Sequence, residues 1–415
     1  MRGIKLKGYK ELTKDSIVNY EPRSVYIPLL CPDDLELKIR RGSNIKIGTV
    51  LGINKKNNIP ILSSVSGRVI DYFDKYCYTG EIVRTIEIQN DGLHTFDQPK
   101  DLKEINKYTK KEFIEILRRS AIKGMGGADF PTYIKYDTKK RIKHLIINAV
   151  ECEPYITADY VILKEHTKEI LESIDAIMTI NKIECGYIAV KKNNDLIPKI
   201  KDLLCGYPKI KLVKVPNMYP MGWERNVVKA AIKKSYDKLP IEVDAIVNNV
   251  STVYAIYNAL KDGVPLISRI ITVSGDGIKK PINVRVRIGQ NAHDLLEGLG
   301  YKRKKNILIS GGPMMGRSMP SDDFVITSNI NSILLFKPED EEVQSVCFRC
   351  GKCASICPAK LSPVLIKDNI NNVEELKKLN VSKCIECGLC SYICPAKILL
   401  RNKMIQAKKN VRDAK

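Results

Sequence analysis

Rings are scarce in this chain: one tryptophan, four histidines and seven phenylalanines in 415 residues. At 7% of the residues, aromatics are too few to interleave with basic side chains as a base-stacking surface for nucleic acid would need. None of the four histidines stands in a ligand spacing, so no histidine-based metal site is expected. Long apolar runs are missing as well. No stretch approaches the roughly 18 uncharged apolar residues of a membrane-spanning helix, and the start MRGIKLKGYKELTKD has no apolar signal-peptide core. The expectation is a chain without a transmembrane segment of its own, made and kept in the cytoplasm.

Positive charge, by contrast, is abundant, with 69 Lys and Arg against 47 Asp and Glu, a formal +22. These residues are dispersed rather than gathered into an arm, so nucleic acid is not an expected partner. Bound anionic cofactors would offset part of the excess. The remainder suits an acidic protein partner or an anionic membrane surface.

Such a length is too great for a single core, and four stretches of different texture divide the chain. Residues 1–100 read as short strands and turns. KIRRGSNIKIG and SSVSGRV supply the glycine turns of a small β-sandwich resembling biotinyl and lipoyl domains, a barrel-sandwich hybrid. No lysine sits in the turn where those domains carry their prosthetic group, so the module reads as structural.

Across 101–265, helices alternate with strands. A capping box of Thr109 and Glu112 opens a helix with Phe113, Ile116 and Leu117 on its apolar face, stopping at Gly124. A strand His144–Ala149, a long helix from about Thr157 to Ile177, a strand Gly186–Val190 and a further helix, strand and helix follow. This alternation predicts a parallel, doubly wound, Rossmann-like sheet with ligands at the carboxyl ends of its strands. Residues 266–338 are β-rich, a small α+β module, and cysteines mark 339–415. The fold class is therefore multidomain, α/β plus α+β.

Eight of the thirteen cysteines lie in that last stretch. Cys347, Cys350, Cys353 and Cys357 form C-x2-C-x2-C-x3-C before Pro358, and Cys384, Cys387, Cys390 and Cys394 repeat it before Pro395. In such runs three close thiolates hold one face of a [4Fe-4S] cubane, while the fourth reaches the other cluster. The assignment is thus Cys347, Cys350, Cys353 and Cys394 for one cluster, and Cys384, Cys387, Cys390 and Cys357 for the second. Zinc sites use separated C-x2-C pairs without the third cysteine of each run. Gly351 and Gly388 let the backbone pass close to the clusters. Cys31, Cys77, Cys152, Cys185 and Cys205 remain as free thiols.

A glycine loop, Lys123-Gly124-Met125-Gly126-Gly127-Ala128-Asp129-Phe130-Pro131-Thr132, is by itself as consistent with a tight turn as with a phosphate cradle. It is followed by NAVECEPY (148–155), YPMGWE (219–224) and VNNVST (247–252). That order resembles the RnfC family of the Rnf electron-transport complex and, more distantly, the NADH-binding flavoprotein subunit of respiratory complex I. The likeness runs from GYKELTKD through SSVSG, GMGGADFPT, NAVECEPYITAD, VSGDG and GGPMMG to both cysteine runs.

The resemblance implies a barrel-sandwich hybrid, a Rossmann-like domain for FMN and NADH, a β-grasp (SLBB-like) module and an α-helical dicluster ferredoxin domain. It implies that Gly124, Gly126 and Gly127 approach the flavin and its phosphate, with Lys135 as a further phosphate contact. Asn148, Glu151 and Glu153 would line the flavin and nicotinamide side, Gly222 and Glu224 the adjoining turn, and Asn248, Asn249 and Thr252 the ribityl chain or phosphate. Taken alone, the two glutamates read as a solvated pair capping the next helix. Gly311, Gly312 and Gly316 in SGGPMMG read as a structural turn.

The function implied is electron transfer between NAD(H), FMN and two [4Fe-4S] clusters. The chain would be a peripheral subunit on the cytoplasmic face of a membrane redox complex, facing its other subunits or an acidic ferredoxin-type protein. Trp223 stands where such proteins usually have glycine. It motivates a second reading, an electron-transfer adaptor without NADH activity that serves a soluble reductase such as an amino-acid reductase.

Overall fold

The computed structural model of the chain describes residues 2–13, 17–30, 34–97, 102–301, 306–339 and 343–414. Cys31, the boundary between residues 100 and 101, and Lys14 and Asp15 of the GYKELTKD stretch lie outside the described residues.

At the centre is a four-stranded sheet in the order Ile210–Val215, Cys185–Lys191, His144–Asn148, Ala245–Asn249, with every pairing parallel. Its two central strands are near-continuous apolar runs because helices cover both faces, while the edge strand Ile210–Val215 exposes Lys211 and Lys214. One face packs on the helices Lys110–Arg119, Thr167–Asn181 and Val250–Lys261, and the other on Glu224–Ile232. The strand order reverses between His144–Asn148 and Ala245–Asn249, and such a switch point opens a crevice at the strand ends.

Two expectations for this region need correction. The helix opened by the Thr109–Glu112 capping box ends at Arg119, ahead of Gly124. Ala121 takes φ +51, and the Ile122 amide bonds back to the Leu117 carbonyl, which closes the helix without a glycine. The expected helix over 157–177 is two, Ala158–Glu165 and Thr167–Asn181. They break at His166, whose ψ of 33 leaves the helical range and whose ring stacks on Tyr254 at 4.1 Å.

Residues 24–90 form two antiparallel sheets around a common core that includes Val25, Leu51, Val69 and Ile86. A six-stranded mixed sheet takes Ser268–Ser274, Ile282–Arg287, Ile307–Ser310 and Ser332–Phe336, with the helix Ala292–Gly298. It also takes Ile17–Asn19 from the start of the chain, paired parallel to Asn283–Arg285. Short helices and the longer Leu400–Asp413 build the cysteine region around Ile366, Leu376 and Met404. Among the described residues no helix is long and apolar enough to cross a membrane.

Ile188 lies fully buried in the second strand of the parallel sheet. Ile188→Ala should cost about 2–5 kcal/mol, read as a lower urea midpoint. Ile82→Ala, at a side chain 62% exposed, should stay within about 0.5 kcal/mol of the parent.

Candidate functional site

At the carboxyl edge of the parallel sheet the strands deliver their next residues into a cavity of about 320 Å³. Glu151, Cys152 and Glu153 come from the first strand, Lys191 from the second and Tyr219 from the turn beyond the third. The N-terminal segment closes it with Leu6, Gly8 and Lys10. Both expected glutamates are therefore in the cavity wall and buried, although Glu151 also accepts from Asp159 N in the first turn of the next helix.

Burial governs their protonation. It pushes Glu151 up to about 6, against the attraction of Lys10, whose Nζ lies 3.4 Å away. Glu153 is pushed up to about 7 by burial, against the amides of Met314 and Met315. Its Oε2 accepts from Met314 N at 3.0 Å, while its Oε1 is buried with no hydrogen-bond partner among the described residues. Lys191 is pushed down to about 8 by burial and by Lys10, and the Cys152 thiol up to about 11 by burial.

The glycine loop lies beside this cavity and is joined to it by a chain of contacts. A Cβ on Gly126 would stand 3.3 Å from the Cβ of Asn249, so the backbone fits there only as glycine or by displacing that side chain. Gly127 has φ +108, and Gly124 N bonds Phe130 O, closing the loop. Asn249 caps the helix Val250–Lys261 by accepting from Ser251 N, and donates to Asp159 at 2.7 Å. Ser251 also donates to Asp159, whose amide donates to Glu151 at 3.0 Å. The loop thus sits at the amino end of a helix, where free amides and the helix dipole favour an anion.

Other expected residues act on the frame of the site. Thr252 accepts from Met125 N at 2.9 Å, clamping the loop. Asn148 donates to Gly222 O and accepts from Val150 N, pinning the 219–224 turn to the first strand. Asn248 is buried and donates to Tyr136 OH, and Glu224 accepts from Tyr236 OH. Lys135 is buried, and its amine is spent on Val247 O at 2.7 Å and Asn248 at 3.5 Å.

Lys10, Asp159 and Tyr219 lie inside the motif stretches without being assigned to the site, and Lys191 lies outside them. Asp159 carries only the weak signal of an acid in a first helical turn, and Lys10 and Tyr219 enter through long-range folding. Trp223 is absent from the residues lining the cavity; Arg225 lies over its ring at 5.8 Å.

The cysteines gather as two quartets. Cys347, Cys350, Cys353 and Cys394 line a cavity of about 30 Å³. Cys357, Cys384, Cys387 and Cys390 line another of about 20 Å³. Each draws its fourth cysteine from the other run. Gly351 and Gly388 take φ +73 and +77, and the flanking Arg349 and Lys360 recur as Glu386 and Lys397 with the same left-handed φ, so the two halves repeat in backbone geometry. Among the described residues no three Cys, His, Asp or Glu side chains converge closely enough for a single ion. Burial and neighbouring thiols push Cys387 up to about 11 and Cys390 to about 12, and a cationic centre reverses that by binding thiolates.

Comparison with known proteins gives two family matches: the Nuo51 FMN-binding domain over residues 117–258 and the 4Fe-4S dicluster domain over residues 340–398. The chain is 33% identical over 342 residues to the C subunit of the proton-translocating ferredoxin:NAD(+) oxidoreductase complex of Clostridium ljungdahlii, covering 79% of this chain and 74% of that protein. It is 30% identical to the C subunit of the Na(+)-translocating ferredoxin:NAD(+) oxidoreductase complex of Acetobacterium woodii, covering 80% and 77%. With the C subunit of the ion-translocating oxidoreductase complex of Vibrio cholerae it shares 36% identity over 68% of this chain but 37% of that protein. A chain of an NAD+-reducing [NiFe]-hydrogenase matches in fold, with TM-score 0.51, 14% identity and coverage of 73% and 63%.

The raised Glu153 sets a pH dependence. The unfolded chain loses this proton near 4.5, the folded chain near 7. Stability is then undiminished below about 4.5, falls as pH rises toward about 7 and levels off above it. Glu153→Gln removes that fall, so between pH 4.5 and 8 urea unfolding should shift by about 2–4 kcal/mol in favour of the variant.

Proposed function

The chain belongs to the RnfC family, the C subunits of ion-translocating ferredoxin:NAD(+) oxidoreductase complexes, and from that premise we propose that it passes electrons between NAD(H), FMN and two [4Fe-4S] clusters. The observation that carries this reading is the pair of cysteine quartets, each around its own cavity and each completed by the opposite run. Nicotinamide brings two electrons as hydride, flavin handles them in pairs or singly, and the clusters take one each.

Within that reading the residues divide the work. Gly124, Gly126 and Gly127, with the amino end of the helix that Asn249 caps, hold the flavin phosphate through backbone amides. Thr252 supports that loop through Met125 N, while Lys135 and Asn248 brace the end of the strand that carries Asn249, a more indirect role for Lys135 than direct phosphate contact. Asn148 fixes the turn of Gly222 and Glu224 against the cavity. Glu151 and Glu153 line the reacting side, where their raised affinity for protons lets them hold one near neutral pH. Cys347, Cys350, Cys353 and Cys394 ligate one cluster, and Cys357, Cys384, Cys387 and Cys390 the other.

The corresponding division of the chain is a barrel-sandwich hybrid over 1–100, an FMN and NADH domain over 101–265, a β-grasp (SLBB-like) module over 266–338 and a dicluster ferredoxin domain over 339–415. The third unit borrows the strand Ile17–Asn19 from the first. The protein sits peripherally on the cytoplasmic face of the membrane, held by other subunits, with its +22 charge favouring acidic partners. The adaptor reading rests on Trp223, and the placement of that ring against Arg225, away from the cavity lining, favours the NADH-linked one.

Protein purified without oxygen should carry about eight iron and eight acid-labile sulfides per chain. NADH should bleach both flavin and cluster absorption. Zinc in place of iron would sink the proposal, and bound flavin left oxidised by NADH would favour the adaptor.

A further inference from the structure

The two quartets are not equally placed with respect to the cavity. Tyr219 lines it and is buried to 1% exposure, while its hydroxyl donates to the Cys387 carbonyl at 2.7 Å. Its ring packs with Cys387 and Leu389 against Cys152 and Met314. Two further ties join the same surfaces. Glu153 accepts from Met314 N, and the Met314 carbonyl occupies the place of a side chain at Gly388, 2.6 Å from where its Cβ would stand. Arg401 then donates to Glu386 O and Gly316 O at 2.9 Å each and to Met315 O at 2.5 Å. The quartet of Cys347, Cys350, Cys353 and Cys394 instead lies at the surface, with Cys350 exposed and Val343, Val346 and Phe348 exposed at 88, 82 and 57%.

We propose that the quartet of Cys357, Cys384, Cys387 and Cys390 is the one that exchanges electrons with the cavity, and that Tyr219 is the positioning residue that fixes it there. The inference rests on the flavin and cluster reading given above. Each passage moves one electron and breaks no bond in the protein. The two electrons of a hydride leave in two passages, its proton is released to water, and each electron goes on through the outer quartet to a one-electron redox protein at the exposed rim.

The full chain, reconstituted anaerobically with iron, sulfide and FMN, tests this order. The bound flavin is reduced by a light pulse, so nicotinamide binding does not enter, and cluster reduction is followed by freeze-quench paramagnetic resonance. Cys350→Ala, which removes the outer cluster, should stop electrons at the inner one, still reduced by the flavin, whereas Cys390→Ala, which removes the inner cluster, should slow reduction of the outer one roughly tenfold or more. Tyr219→Phe keeps the ring and every cysteine. It should slow transfer roughly tenfold and alter the resonance of the inner cluster alone, while dithionite still reduces both. If Cys350→Ala is the slow variant, the order is wrong and the flavin and cluster reading survives. An unchanged rate and spectrum in Tyr219→Phe removes the role of Tyr219. Failure of the parent to take up iron or flavin would overturn the underlying reading itself.

Discussion

A single hydrogen bond, Tyr219 OH to Cys387 O, marks the seam on which the molecule is organised. Electron transfer falls off steeply with distance, so a redox chain made of separate structural units works only if their mutual placement is rigid. Here the seam is fixed from three sides: the strand-end turn through Tyr219, the 311–316 loop through Met314, and the final helix through Arg401. The N-terminal segment adds a fourth tie, with Ile4 bridged to Tyr219 by backbone bonds in both directions. All these contacts are long-range, and most use backbone carbonyls, which cannot change protonation. The Met314 tie is the exception, because it runs through the Glu153 carboxylate, a group that titrates in the cavity.

That cavity concentrates carboxylates where water is scarce. Glu151, Glu153 and Asp159 all have their proton affinity raised by burial, and each receives amide, hydroxyl or carboxamide donors instead of a full counterion set. Lys10 and Lys191 provide the nearby positive charge, at 3.4 Å from Glu151 in the case of Lys10. Such an arrangement costs stability, since a buried ion is repaid only in part by its partners. Costly clusters of this kind concentrate at functional sites. Their placement at the switch point of the parallel sheet gives that argument a second, topological support.

The grouping of the cysteines around two cavities was legible, because a C-x2-C-x2-C-x3-C run limits which of them can converge. The two central strands of the parallel sheet were legible too, since they are buried on both faces and read as unbroken apolar runs. Ile210–Val215, by contrast, carries exposed Lys211 and Lys214, and Ala245–Asn249 is not among the strands read from the sequence. Helix ends are harder to read. Ala121 closes a helix in a conformation that glycine usually supplies, and nothing in its identity announces that. The loop Gly311–Gly316 reads as a mere turn, yet its Met314 touches both Glu153 and the Gly388 backbone. Its role is set by where the six-stranded sheet delivers it, a fact of tertiary placement with no local signature. The same holds for Lys10, over a hundred residues from Glu151 in sequence, and for Ile17–Asn19, whose sheet is completed by strands from the other half of the chain.

The two cysteine runs repeat in sequence and in backbone, yet their surroundings differ, and the difference bears on potential. Cluster potentials depend on solvent exposure, local charge and hydrogen bonds to sulfur. In the inner quartet Cys387 is buried, the sulfurs of Cys357 and Cys384 accept amide hydrogen bonds at 3.4 Å, and Lys408 reaches the Cys384 carbonyl at 3.0 Å. The outer quartet opens to solvent at Cys350. Water stabilises the more negative, reduced state of a cluster, whereas in the inner quartet that work falls to fixed amides and the Lys408 ammonium. A duplicated motif has thus been given two environments, and its two halves are thereby set to different potentials.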